Sequence, residues 1–182
     1  MKKVLLFGIS MVIGASSFSQ IYIGKTCEIS FFSKTTVENI DAVNKSTTPL
    51  LNIATGDIQM KIAMTSFVFE KPLMQEHFNE NYVESEKFPY AIFKGKINEK
   101  IEYTKDGDYK VTVTGKLNIH GVEKDRTIDG LVSVKGGVIS ISSNFKIKFA
   151  DHNVEIPTLY ALIIPEDTDV KITATLEPYK KK

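Results

Sequence analysis

The chain has 182 residues, with 23 Lys and Arg against 22 Asp and Glu, so its formal net charge is +1. A nearly balanced charge argues against a nucleic-acid partner, whose phosphates select a clustered basic surface. A single cysteine excludes an internal disulfide. The length suits one domain that is large enough to build a substantial core.

The first residues have the pattern of a secretory signal peptide. Lys2 and Lys3 precede an apolar run that ends at Ile13, and small residues follow as far as Ser19. The apolar run is shorter than the roughly 20 residues that span a bilayer, so we expect no stable membrane insertion. A buried N-terminal helix or strand is the alternative interpretation. The predicted boundaries are a signal peptide over 1–19 and a mature domain over 20–182, with cleavage between Ser19 and Gln20.

Beyond the signal peptide, apolar and polar residues alternate with a period of two, as in half-buried antiparallel strands. The alternating runs are Ile58–Met64, Tyr109–Ile119, Ile128–Val134, Ile139–Phe149 and Val170–Leu176. Short connectors at Asp106-Gly107, His120-Gly121 and Gly136-Gly137 can supply the positive φ angles of tight hairpins. Roughly eight such strands must either stack as two sheets or close into a barrel. Closure would also remove exposed sheet edges.

One segment departs from the strand pattern. Pro72 suits the first turn of a helix, and the side chains of one face of an amphipathic helix then recur at three- and four-residue spacing. These side chains are Leu73, Met74, His77, Phe78 and Tyr82. The spacing predicts one short helix over about 71–82. A second stretch over 156–165 is expected to be a turn of helix or a loop over one barrel end.

The titratable residues form no catalytic or metal-binding pattern. The histidines are His77, His120 and His152, and the chain contains neither an HExxH nor a GxSxG motif. We expect His120 to be solvated in its hairpin turn, Asp151-His152 to be a loop pair, and Glu84 and Glu86 to face solvent. Cys27 is expected to be a small core residue. The sequence therefore predicts a protein that is not an enzyme and uses no cofactor or metal.

Two segments resemble motifs of the YceI-like family. The first combines Leu73–Phe78 with Glu86–Lys94, and the second is the hairpin Val113–Lys124. Cys27–Phe31 and Val170–Ala174 fall where such proteins have their first and last strands, so the resemblance covers nearly the whole mature chain. Departures from the family pattern are Asn118, Glu123, Asp125 and the loosely matching segment Phe145–Ile156.

The resemblance implies an all-β fold, an eight-stranded antiparallel lipocalin-like barrel with one short helix. It also implies a secreted or periplasmic bacterial protein. Members of this family are associated with binding long isoprenoid chains in an elongated internal cavity. The implied partner is therefore an isoprenoid or other long-chain lipid. The oligomeric state stays open between a monomer and a homodimer, because a strand edge or a flat barrel face could pair.

A barrel of eight strands is about wide enough either to be filled by its own side chains or to hold one slim ligand. Small inward candidates are Gly95, Gly115, Gly130, Ser143 and Ala174. The residues alone leave a filled core and a cavity equally open, and the resemblance favours the cavity. The cavity would be lined by Met60, Ile62, Met64, Phe67, Leu73, Phe78, Phe93, Val113, Leu117, Val132, Ile141 and Phe145. The helix over 71–82 could act as its lid or plug.

The alternative function is a non-enzymatic stress or interaction protein whose filled barrel binds another protein. Its candidate surface is a basic stripe on the barrel exterior, formed by Lys94, Lys96, Lys146 and Lys148. Solubility alone would also explain these lysines, since outward strand residues are commonly charged.

Overall fold

The computed structural model describes residues 20–156 and 164–180. The predicted signal peptide lies outside these ranges, as do residues 157–163 of the predicted non-strand stretch. The strands are β1 (Ile21–Ser33), β2 (Ile40–Asn44), β3 (Leu50–Asn52), β4 (Asp57–Ala63), β5 (Val68–Phe69), β6 (Tyr90–Ile97), β7 (Gly107–Ile119), β8 (Val122–Lys135), β9 (Val138–Lys148) and β10 (Asp167–Pro178). Helix α1 (Pro72–His77) continues into a π-helical turn (Phe78–Tyr82), and 3-10 turns cover Met64–Ser66 and Phe149–His152. Within the described ranges, no helix has the length and apolar character needed to cross a membrane.

The strands form one antiparallel sheet that closes on itself. The order is β10-β9-β8-β7-β6-β4-β3-β1, and β1 pairs back with β10 along a ladder from Tyr22 with Pro178 to Phe32 with Asp169. The ten segments make eight barrel strands, because β2 and β3 pair with successive parts of β1. In the same way, β4 pairs with β3 and β5 pairs with β2, so β4 and β5 together form the next barrel strand. The predicted eight-stranded antiparallel barrel with one short helix is confirmed.

A buried asparagine ties the two interrupted strands together. Asn44, at the end of β2, has an exposed fraction of 0%. Its Nδ2 donates to the carbonyl oxygen of Ala63, the last residue of β4, at 3.0 Å. Its Oδ1 accepts from the backbone N–H of Ser46 at 2.9 Å and from Thr47 Oγ1 at 3.1 Å. The break after β2 is therefore held against the break after β4 by a side chain whose polar groups are paired.

Two of the three predicted tight turns are confirmed. Positive φ angles occur at His120 (52°), Gly121 (74°), Gly136 (56°) and Gly137 (80°), as type I′ hairpin turns require. The prediction for Asp106-Gly107 was wrong, because Gly107 is already strand β7 and takes no positive φ. Asp106 Oδ1 instead accepts from the N–H of Gly136 at 2.9 Å, so this longer loop packs on the neighbouring hairpin.

The barrel interior differs between its two ends. Where β1 begins and β10 finishes, the side chains of Leu51, Ile139 and Leu176 have an exposed fraction of 0%. We call this the packed end. Towards the opposite end, near α1 and the β7–β8 turn, several inward side chains are only half-buried, namely Val113, Ile141, Phe145 and Ile172. We call this the hollow end.

The packed end and the hollow end should differ in how much stability is lost when an inward side chain is shortened. Leu176→Ala should lower the free energy of unfolding by about 2–5 kcal/mol, because its packed neighbours cannot collapse into the space left. Ile172→Ala, on the same strand beside the hollow end, should cost about 1–2 kcal/mol, since fewer atoms contact Ile172. Urea unfolding of the delipidated variants measures both losses. Equal losses would contradict the division into two ends.

Candidate functional site

The hollow end contains a cavity of about 420 Å³, within the range of roughly 300–1,000 Å³ that is usual for ligand pockets. Aliphatic, aromatic and methionine side chains make up most of its wall. Eleven of the twelve predicted lining residues border it: Met60, Ile62, Met64, Phe67, Phe78, Phe93, Val113, Leu117, Val132, Ile141 and Phe145. The wall therefore offers a hydrocarbon surface to anything that enters the barrel.

The prediction that Leu73 lines the cavity was wrong, because its side chain is 60% exposed. The inward stripe of the helical segment runs through Met74 and Phe78, which are four residues apart and both border the cavity. Leu73 lies five residues before Phe78, about 140° around the helix axis. Leu73 consequently faces solvent.

An aromatic cluster docks the helical segment on the barrel. The ring of Phe78 lies 5.4 Å from Phe31 of β1, 5.8 Å from Phe67 and 5.0 Å from Phe69 of β5, measured between ring centroids. These are offset and edge contacts of the kind that aromatic rings favour. All four rings border the cavity. The helical segment is thus part of the cavity wall at the hollow end.

Small inward residues create the cavity only where no ring covers them. Gly130 and Ser143 border it, whereas Gly95 and Gly115 do not. A Cβ at Gly95 would lie 2.7 Å from Cζ of Phe93, so the Phe93 ring already occupies that space. Gly115 pairs with Gly95 across the strands, and a Cβ there would meet the Gly95 backbone at 2.4 Å. Ala174 is likewise buried away from the cavity.

The wall between β8 and β9 is paired for only part of its length. The ladder runs from Lys135 with Val138 to Gly130 with Ser143. Beyond that point, Arg126 of β8 donates to the carbonyl oxygen of Lys146 of β9. His152, in the turn after β9, donates from Nδ1 to the carbonyl oxygen of Val122 at 3.0 Å. We call this side-chain-bridged part of the wall the seam.

His152 was expected to be part of a loop pair, but its side chain is 1% exposed and borders the cavity. Burial lowers the pKa of His152, since the charged imidazolium is disfavoured away from water. A carbonyl oxygen can only accept, so the proton of the neutral ring is assigned to Nδ1. Nε2 is then an acceptor, and it has no hydrogen-bond partner in the described structure. The strand alternation ends at Phe149, so no sequence pattern marked this residue.

A second histidine holds the loop after the helical segment. His120 was expected to be solvated, but its side chain is 12% exposed and its Nε2 donates to Glu84 Oε2 at 2.9 Å. The other Glu84 oxygen contacts Lys87, so the expectation that Glu84 simply faces solvent was also wrong. The ring of Phe88 packs on His120 at 4.4 Å between centroids. We call Glu84, Lys87, Phe88 and His120 the clasp.

The cysteine lies in the core as predicted. Cys27 is buried, and burial raises the pKa of its thiol to about 11, which disfavours the reactive thiolate. Among residues 20–156 and 164–180, no three His, Cys, Asp or Glu side chains gather closely enough to hold a metal ion.

The predicted basic stripe was wrong. Lys94 and Lys96 lie on β6, whereas Lys146 and Lys148 lie on β9, and strands β7 and β8 separate the two pairs. Lys146 is also ion-paired with Asp167 at 2.9 Å. The filled barrel that accompanied this alternative does not agree with the cavity at the hollow end.

A closed antiparallel barrel with an apolar cavity is the architecture of a small-molecule-binding protein. A family model described as the YceI-like domain matches residues 16–177. The chain belongs to the YceI-like family. No curated protein matches the chain.

Solved structures share the fold at low identity. A polyisoprenoid binding domain from Saccharophagus degradans, implicated in plant cell wall breakdown, is 17% identical with a TM-score of 0.75, covering 88% of this chain and 99% of that one. BcnA from Burkholderia cenocepacia is 20% identical with a TM-score of 0.70, covering 82% and 95%. The YCEI protein from Campylobacter jejuni is 20% identical with a TM-score of 0.57, covering 100% of both chains.

The clasp makes the folding stability of the protein depend on pH in the acid range. Lys87 and His120 lower the pKa of Glu84 below its ordinary value of 4.5. The ionised Glu84 carboxylate therefore stabilises the fold fully above pH 4.5, and this stabilisation is lost as the pH falls through the lowered pKa. Glu84→Gln should therefore lower the urea midpoint at neutral pH and converge with the wild type in acid. Glu86→Gln removes the same charge from an exposed neighbour and should leave the midpoint nearly unchanged. A constant gap between Glu84→Gln and wild type at all pH values would contradict this role.

Proposed function

We propose that this chain is an exported lipid-binding protein that holds a long isoprenoid chain in the barrel cavity and catalyses no reaction. The observation that carries the proposal is the apolar cavity of about 420 Å³ at the hollow end of a closed barrel. The likeness to the polyisoprenoid binding domain from Saccharophagus degradans supports the choice of an isoprenoid.

Burial of hydrocarbon supplies the affinity. Each CH2 group taken out of water contributes roughly 0.8 kcal/mol, so ten such groups contribute about 8 kcal/mol before the cost of immobilising the chain. Three methionines, Met60, Met64 and Met74, border the cavity. Their flexible thioethers adapt to a branched chain and make favourable contacts with unsaturated groups.

The polar groups of the cavity wall favour binding without reaction. Ser33 Oγ donates to Thr168 Oγ1 at 2.9 Å, and Thr168 Oγ1 donates to the carbonyl oxygen of Phe32 at 3.1 Å. Ser143 Oγ donates to the carbonyl oxygen of Asp129 at 2.6 Å. These hydroxyls are engaged with one another or with the backbone, and none of them is paired with a histidine base. A nucleophile would need such a base.

Filling the cavity should weaken ligand binding. Ile172→Trp places a large side chain into the hollow end, whereas Lys171→Trp places the same side chain one residue earlier on the exposed face of β10. We expect Ile172→Trp to weaken binding of a long polyprenol about tenfold or more, because an overpacked interior cannot accept the chain. Lys171→Trp should bind like the wild type. Native mass spectrometry and displacement of a fluorescent fatty chain measure both.

The control variant makes this experiment decisive. Equal affinities for Ile172→Trp and Lys171→Trp would place the ligand outside the barrel. A wild-type protein that takes up no polyprenol, and carries no extractable lipid after purification, would contradict the proposed function itself. Urea unfolding of both variants identifies any loss of binding that is only a loss of folding.

Export is the second part of the proposal. The charged, apolar and small-residue segments of 1–19 support it. The full chain expressed in a Gram-negative host should be recovered from the periplasm or medium with Gln20 as its first residue, as read from the intact mass. Recovery of the uncleaved chain in the cytoplasm would contradict export while leaving lipid binding open to the experiment above.

A further inference from the structure

The cavity reaches the solvent beside the loop that joins β1 to β2. The ladder between these strands ends with Ser33 and Ile40, and residues 34–39 continue beyond it as a loop that we call the flap. Val37 of the flap borders the cavity although its side chain is 77% exposed. A side chain that meets both the cavity and the solvent marks an opening. Met74 of α1 also borders the cavity, so the helical segment provides another side of this opening.

The helical segment is the fixed side. Phe78 docks it on three other aromatic rings, and Gln75 Oε1 accepts from the backbone N–H of Phe69 of β5 at 3.3 Å. The clasp holds the loop that follows the segment. These contacts join the segment and its following loop to β1, β5 and the β7–β8 turn. The helical segment therefore stays in place when the flap moves.

The flap is attached to the rest of the barrel by few contacts. None of residues 34–39 is buried. Thr35 Oγ1 accepts from the N–H of Glu38 at 3.0 Å and donates to the carbonyl oxygen of Glu38 at 2.6 Å, so these hydrogen bonds stay inside the flap. Within the described ranges, one polar side-chain contact links the flap to another element, namely the ion pair of Glu38 with Lys71. Lys71 directly precedes α1, so this ion pair crosses the opening.

We propose that a ligand enters and leaves the cavity between the flap and the helical segment, and that the ion pair of Glu38 with Lys71 is a strap across this portal. This inference rests on the proposed function and adds the path of the ligand and the step that sets its rate. When the strap breaks, the flap swings on the ends of β1 and β2, and Val37 leaves the cavity wall. The two charged side chains are 43% and 56% exposed. An exposed ion pair is weak, so the strap favours the closed portal and still breaks often enough for exchange.

A reversible crosslink across the portal tests the path. Glu38→Cys with Lys71→Cys is joined by a bifunctional methanethiosulfonate reagent, whose disulfide bonds a reductant cleaves. The native Cys27 is buried and stays unmodified. The matched control is Arg126→Cys with Asp151→Cys, which replaces another ion pair and joins the two sides of the seam.

The probe is retinol, a short isoprenoid alcohol whose fluorescence rises when it is bound. The portal crosslink should slow both uptake and release of retinol by about tenfold or more, because a closed flap blocks the path. Reductant should restore both rates. The seam crosslink should leave both rates close to those of the untreated protein. Each single-cysteine variant should also keep its rates after treatment, because one attachment leaves the flap free.

Removal of one charge tests the strap. In Lys71→Met the ion pair is lost, so uptake and release should both accelerate by up to about fivefold, as the strength of one exposed pair allows. The affinity should stay nearly unchanged, because the cavity wall is the same. Salt screens an exposed pair, so higher ionic strength should accelerate exchange in the wild type and not in Lys71→Met. Lys45→Met, which breaks the exposed ion pair with Glu28, should behave like the wild type.

The outcomes distinguish this inference from the proposed function. Exchange rates that are the same with and without the portal crosslink overturn the portal, and slowing by the seam crosslink alone places the path at the seam. Unchanged rates in Lys71→Met, or equal slowing in a single-cysteine variant, overturn the strap. In each of these cases the wild type still binds its ligand. Failure of the untreated wild type to bind both retinol and a long polyprenol overturns the proposed function and this inference with it.

Discussion

Pairing of the first strand with the last fixes the width of the barrel, and the properties of the interior depend on that width. A ring of eight strands has a cross-section that its own side chains can just fill. At the packed end they do fill it, with Leu51, Ile139 and Leu176 fully buried. At the hollow end the same width surrounds small residues such as Gly130 and Ser143. Since the wall cannot narrow to meet them, the missing side-chain volume remains as a cavity.

The hollow end therefore has to be stabilised by contacts within the barrel wall, because side chains do not fill its interior. Asn44 joins the two strand interruptions through hydrogen bonds that leave its amide paired, Phe78 docks the helical segment on three other rings, and the clasp fixes the loop that follows. Each of these contacts joins parts of the barrel wall or its connecting segments. A barrel held in this way keeps an apolar cavity without the contacts that a filled core would supply.

The sequence predicts what depends on local periodicity and fails where distant contacts decide. Period-two alternation identified the inward faces of the long strands, because side chains on a strand alternate regardless of what they meet. The alternation did not show that the Phe93 ring covers Gly95. A cavity and a filled core could therefore not be distinguished from the sequence alone. Leu73 was misplaced because its orientation depends on how the helical segment docks. The burial of His120 and His152 depends on partners 36 and 30 residues away in the chain.

The seam fixes the protonation state of the histidine that bridges it. Val122 holds the proton of His152 at Nδ1, and burial lowers the pKa of His152, so the ring resists protonation and its free nitrogen stays an acceptor. A neutral ring keeps its hydrogen bond to Val122 without placing an uncompensated charge in the wall, as a buried imidazolium would. The part of the wall that lacks a strand ladder is therefore closed by a side chain whose charge state is set by its surroundings.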